Sequence, residues 1–152
     1  MNLEFRQACE NDLGELIDLL ADDVLGAARE VVSHPIKQSY KDAFQSINTD
    51  PNNELIVAAS GDDVIGMMQL TFIPYLTHTG SRRCLIEGVR ISSLHRGERI
   101  GEQMLQFAIS RAKTRNCKIV QLTSDKKRPD ALRFYERLGF KPTHEGFKLA
   151  LG

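Results

Sequence analysis

The stretch that most constrains this chain lies between residues 85 and 122. An apolar, strand-like run (85 to 91) leads to a tight turn, Arg96-Gly97-Glu98-Arg99-Ile100-Gly101, and then to an amphipathic helical run (100 to 112). Ile100, Met104, Leu105, Ala108 and Ala112 recur at helical spacing, and residues 117 to 122 read as a short apolar strand. A strand, a helix and a second strand at these lengths predict a right-handed parallel crossover. The turn is also a place to hold an anion. Backbone N–H groups in a first helical turn lack intrahelical partners, and the helix dipole adds partial positive charge there. Gly97 permits unusual dihedrals, Gly101 lets the backbone come close, and Arg96 and Arg99 offset phosphate charge. Locally, the same residues equally describe an ordinary strand-to-helix turn with two solvated arginines.

The remaining segments supply an α/β (α+β) frame for that unit. Residues 3 to 8 alternate as a short strand, Asn11-Asp12 supplies capping oxygens, and Leu13, Leu16, Ile17 and Leu20 form a buried helical stripe. Residues 21 to 37 lose periodicity and contain His34-Pro35, so a loop or broken helix is expected. Tyr40, Ala43, Phe44 and Ile47 recur at helical spacing, and Asp50-Pro51-Asn52-Asn53 is a turn cluster. Two strands (55 to 59 and 64 to 72) joined by Gly61-Asp62-Asp63 predict a hairpin, and the strand from 84 to 91 continues an antiparallel meander after the turn-rich segment 74 to 81. A second helix starts near Pro129, with Asp130 placed to suit the dipole, and ends at Leu138-Gly139-Phe140. Phe140 and residues 147 to 151 are expected to close the sheet with one or two final strands.

Composition narrows the function classes. Twenty basic and twenty acidic residues cancel, with a pI near 6.9, which removes the electrostatic reason to expect nucleic acid or an anionic membrane as partner. Cys9, Cys84 and Cys117 are odd in number and outside any Cys-x-x-Cys spacing, which argues against a disulfide framework or a zinc site. The four histidines, at 34, 78, 95 and 144, have no metal-ligand spacing, so no metal is expected. Without a leader-like N-terminus or a run approaching the ~20 apolar residues of a membrane span, a cytoplasmic location is expected.

Two motifs together carry a family resemblance. Val89-Arg90-Ile91 followed by Arg96-Gly97-Glu98-Arg99-Ile100-Gly101 resembles the acyl-CoA-binding motif of the GNAT superfamily of N-acetyltransferases, Gln/Arg-x-x-Gly-x-Gly/Ala. Further on, Ala131-Leu132-Arg133-Phe134-Tyr135-Glu136-Arg137-Leu138-Gly139-Phe140 resembles that superfamily's second signature, Ala-x-x-Phe-Tyr-x-x-x-Gly-Phe. The resemblance implies one N-acetyltransferase domain over residues 1–152: a three-layer fold with a mixed, mostly antiparallel sheet of six to seven strands and about four helices. It implies acetyl-CoA as cosubstrate, a primary amine as acceptor, and a possible homodimer. Two departures stand out: Arg99 occupies a position where the family usually has glycine, and Arg128 one where many relatives have asparagine.

The resemblance also assigns residues. The turn of Arg96, Gly97, Glu98, Arg99, Ile100 and Gly101 would wrap the pyrophosphate of coenzyme A, and the backbone of Val89 and Ile91 would bond its pantetheine arm. Gly88 marks either a bulge suited to that contact or a packing glycine in a plain strand. Tyr135 would protonate the departing thiolate and is placed at the cofactor. Glu87, on the strand face of Leu85, is a candidate general base; the alternative is a structural carboxylate paired with Arg83 or Arg90. Asp22 and Asp23 could attract a cationic amine or simply be a solvated pair. A catalytically silent acyl-CoA-binding sensor is the alternative function. A nucleotide-binding phosphate loop is disfavoured, since neither Gly-Lys-Ser/Thr nor Gly-x-Gly-x-x-Gly occurs.

Overall fold

The computed structural model describes residues 2–152, with Pro129 described by its backbone only. The chain forms two compact units, Met1–Gln121 and Leu122–Gly152. Five strands, β1 (Glu4–Gln7), β2 (Asn53–Ser60), β3 (Asp63–Ile73), β4 (Arg82–Ile91) and β5 (Cys117–Leu122), form one sheet in sequential order. The first three ladders are antiparallel. The connection from β4 to its neighbour β5 runs through a 15-residue helix, α5 (Ile100–Thr114), as the strand, helix and strand order predicts.

Period-two alternation divides the first unit into layers. On one sheet face Ile56, Met68, Leu70, Phe72, Cys84 and Ile86 are almost completely buried, together with Met104 and Leu105 of α5. On the other, Val57 and Met67 join a cluster with Leu13, Leu16, Ile17 and Leu19 of α1 (Leu13–Ala21) and Phe44 of α3 (Gln38–Thr49). Each such side chain contributes about 1.5–3 kcal/mol on burial, so this double core dominates the stability. Burial also raises the Cys84 thiol to about 12, which keeps it protonated.

Two ion pairs tie the helices to the sheet. Arg111 of α5 donates from Nε (2.9 Å) and Nη2 (2.6 Å) to the buried carboxylate of Glu54 on β2. Arg6 of β1 donates to both oxygens of Asp12 (2.7 and 3.0 Å), which also accepts from the Cys9 backbone N–H. The Arg6 guanidinium holds the Asp12 carboxyl down at about 2, below its ordinary 3.8. A depressed folded-state pKa contributes stability that is present above the ordinary value and lost as pH falls through the folded one. Unfolding free energy should therefore drop by about 2 kcal/mol between about pH 4 and pH 2 on this account. Urea titrations across that window should show the loss in wild type and its absence in Asp12→Asn.

Among the described residues the sheet has five strands rather than six to seven. Residues 138–152 form no regular element, although Phe147, Leu149 and Leu151 alternate as a strand would; they are 92%, 85% and 95% exposed. Alternation states which face a strand would bury, whereas a strand exists only when a neighbour takes its N–H and C=O groups. Among the described residues there are six helices rather than about four. The additional two are short and fall in segments whose sequence lacks periodicity. Asp23 starts α2 (Val24–Arg29) by accepting from Gly26 N–H at 2.6 Å. The four-residue α4 (Thr77–Gly80) is a turn with left-handed His78 and Thr79. The last helix, α6 (Pro129–Arg137), begins at the proline as expected. Among the described residues, no helix is long and apolar enough to cross a membrane.

Candidate active site

The chain from β4 to α5 makes a tight turn into a helix N-terminus. After β4, a 3-10 turn (Ser93–His95) is capped by the Ser92 hydroxyl. The end of α1 reaches this turn: Asp22 accepts from the Ser93 backbone N–H (2.9 Å) and from its hydroxyl (3.3 Å). Gly97 then takes φ +84° and Arg99 a left-handed conformation at φ 61°, ψ 22°. These two residues turn the chain into α5, whose first internal bond is Gln103 N–H to Arg99 carbonyl. The N–H groups of Ile100, Gly101 and Glu102 precede that bond and have no intrahelical acceptor, so they offer converging donors at the positive end of a long helix.

Left-handed backbone at Arg99 explains why a glycine suits this position and what the arginine does instead. An L-residue there carries about 1–2 kcal/mol of strain. The side chain is 79% exposed and pairs with Glu102 at 3.1 Å, a contact of little energetic weight. Arg99→Gly should therefore raise stability by about 1 kcal/mol, a shift of about 2–4 °C in Tm by differential scanning calorimetry. Glu98 is held by His95 Nδ1 at 3.0 Å.

Upstream, β4 carries a bulge. Met67 pairs with Arg90 and Gln69 with Glu87, so Gly88 and Val89 together oppose the single Met68. Gly88 takes φ +64°, which identifies it as a bulge glycine rather than a packing one. Beyond the bulge Ile91 pairs with Gly66, and the Val89 carbonyl accepts from Arg90 Nη1 at 2.9 Å. Glu87 is exposed opposite Gln69. Among the described residues it pairs with neither Arg83 nor Arg90: the Arg83 guanidinium goes to Gln121 and Thr77, and Arg90 to the Val89 carbonyl.

Tyr135 belongs to the second unit, Leu122–Gly152. Its ring lies edge-on to Phe134 (5.1 Å between centroids) and Phe140 (5.9 Å). Its carbonyl accepts from Phe140 N–H at 3.1 Å where Gly139, at φ +97°, ends α6. The second motif thus fixes the tyrosine by ring packing and by a helix C-terminus.

Several residues have roles that the sequence did not single out. Asp22, exposed at the end of α1, accepts from Ser93, and Asp23 accepts from Gly26 N–H. Tyr40 donates to Glu30 Oε1 (2.9 Å) and accepts from Val31 N–H (3.0 Å), tying α3 to the irregular segment after α2. A tyrosine at core spacing gave no signal that its hydroxyl reaches ten residues back.

The model of the acetyltransferase (GNAT) family matches residues 16–140, which takes in both the α5 turn and the Tyr135 helix. The chain belongs to the GNAT family of acetyltransferases. As a GNAT protein it is an acyltransferase enzyme. The aminoalkylphosphonate N-acetyltransferase of Salmonella typhimurium (strain LT2) is 33% identical over 114 residues, covering 75% of this chain and 73% of that relative. A crystal structure described as a transcriptional regulator from Bacillus halodurans C-125 is 54% identical, with a TM-score of 0.97 over 99% of this chain and 100% of that one. A Trypanosoma brucei acetyltransferase shares the fold at 24% identity, with a TM-score of 0.80 over 99% of this chain and 100% of that one.

Proposed function

We propose that this GNAT protein is an N-acetyltransferase, a single domain over residues 1–152, that moves the acetyl group of acetyl-CoA directly to a primary amine in a ternary complex. The observation that carries the reading is the α5 N-terminus, where three N–H groups without helical acceptors follow the Gly97 and Arg99 turn. The pyrophosphate binds there, assisted by Arg96 and Arg99, and the β4 backbone at Val89 and Ile91 aligns the pantetheine arm. The family resemblance assigns these contacts.

The chemistry needs two protons removed from the nitrogen and one supplied to the sulfur. Glu87 takes a proton from the substrate ammonium, directly or through water, and the free amine nitrogen attacks the thioester carbonyl carbon. The tetrahedral intermediate collapses with cleavage of the C–S bond: Tyr135 donates its phenolic proton to the departing thiolate sulfur, and the second proton on the acylated nitrogen passes to the resulting tyrosinate, directly or through water. The products are the acetylated amine and coenzyme A. Burial holds the Cys84 and Cys117 thiols protonated, which favours direct attack over an acyl-cysteine route. Three free cysteines fit a reducing, cytoplasmic setting.

The Salmonella relative makes an amine bearing a phosphonate the first acceptor to try. A second reading, a non-catalytic acyl-CoA sensor, draws support from the Bacillus halodurans neighbour described as a transcriptional regulator. Thiol release from acetyl-CoA, followed across amines, amino acids, aminophosphonates and peptides, separates the two. Amine-dependent release supports the enzyme; acetyl-CoA binding without release by any amine supports the sensor.

A further inference from the structure

We infer that Arg83 is the anion anchor of the acceptor site, so that the acceptor is an amine carrying a second, acidic group: a carboxylate, phosphate or phosphonate. The inference rests on the acetyltransferase reading and adds to it a residue that no part of that reading uses.

Placement comes first. Arg83, Leu85 and Glu87 share one face of β4, because Cys84 and Ile86 are buried on the other and the bulge begins only at Gly88. Their partners on β3 are Ile73, Thr71 and Gln69. Asn53 Oδ1 of β2 gathers the polar ones, accepting from Gln69 Nε2 (3.0 Å) and Thr71 Oγ1 (2.7 Å). The result is a polar strip with a cation at one end and a carboxylate at the other. Four residues of strand separate the two ends by about 13 Å between Cα atoms, a span that two side chains and a short bipolar molecule fill together.

The state of the Arg83 side chain is the second observation. Its guanidinium lies 4.0 Å over the Tyr75 ring, while Nη1 donates to Gln121 Oε1 (3.2 Å) and Nη2 to Thr77 Oγ1 (2.9 Å). Every one of these partners is neutral. Among the described residues Arg83 has no ion-pair partner, whereas Arg6, Arg111 and Arg115 all face carboxylates. Its Nε is buried without an acceptor, which an arginine reaching into solvent would not tolerate. The fork is thus oriented from several sides, retains unused donors and lacks a counter-ion. Planar, bidentate donors fixed in this way match the oxygens of a carboxylate, phosphate or phosphonate. The same charge repels an amine whose far end is a second ammonium, so the site selects zwitterionic acceptors over diamines.

Equilibrium binding tests the anchor without requiring turnover. Calorimetric titration of 2-aminoethylphosphonate and of β-alanine, each into the protein holding coenzyme A, distinguishes the two anion types; putrescine is the cationic control. At least one anionic amine should bind wild type at least tenfold more tightly than putrescine. Arg83→Gln should weaken that amine at least tenfold, and Arg83→Lys should restore part of the loss because it returns the charge without the fork. Equal binding to wild type and a folded Arg83→Gln, or preference for putrescine, overturns the anchor. Thiol release from acetyl-CoA, assayed separately with the same amines and the same proteins, reads the acetyltransferase chemistry: anionic amines that bind without releasing thiol count against that chemistry while leaving the anchor supported.

Discussion

Tyr135→Phe should lower kcat by about 10²–10⁴-fold with an accepted amine, the range expected when a general acid is removed. The substitution deletes only the hydroxyl. The ring contacts with Phe134 and Phe140 persist, and so does the backbone cap at Gly139, so α6 keeps its shape. KM for acetyl-CoA should change little, since the proposed proton donation develops as the C–S bond breaks and stabilises the transition state more than the bound substrate. Stopped-flow thiol detection under single-turnover conditions isolates that step. A variant that keeps full turnover would remove Tyr135 from the mechanism.

Loss of Arg111 should produce the largest effect on stability. Glu54 is 5% exposed, and its carboxylate depends on the two short bonds from Arg111; Arg115 stands farther off, at 3.6 Å. Truncating one partner of a buried pair leaves an uncompensated charge, which costs about 3–5 kcal/mol. With Arg115 still nearby, Arg111→Met is expected at about 3 kcal/mol, or a drop of roughly 6–12 °C in Tm for a chain of this size. The double variant Glu54→Leu/Arg111→Met should recover most of it, because removing both charges also removes the desolvation problem. A double variant no more stable than Arg111→Met would show that the helix-to-sheet contact itself, and not the orphaned carboxylate, carries the energy. Chemical denaturation of the three proteins decides between them.

Most of the frame was legible because its signals are local. Ile100, Met104, Leu105, Ala108 and Ala112 mark the buried stripe of α5, and all five are buried. Gly97 and Gly139 stand where the chain turns left-handed. What stayed hidden depends on partners distant in sequence. The bond from Ser93 to Asp22 spans 71 residues, and the Arg111 pair with Glu54 spans 57. Nothing in either neighbourhood announces the other end. Residues 147 to 151 failed in the opposite sense: their alternation is as clear as that of β1, yet no ladder takes them up. Arg99 shows the same limit within the α5 turn, since its departure from glycine was visible while its left-handed backbone was not.

The most direct test of the proposed pyrophosphate site is a calorimetric titration of acetyl-CoA into wild type and Gly101→Glu. The added carboxylate sits in the first turn of α5, where it competes with the pyrophosphate for the same N–H donors and repels it. The expected result is saturable binding to wild type and at least 100-fold weaker binding to the variant, with unchanged circular dichroism. Equal affinity in the two proteins would contradict a pyrophosphate site at Arg96 to Gly101.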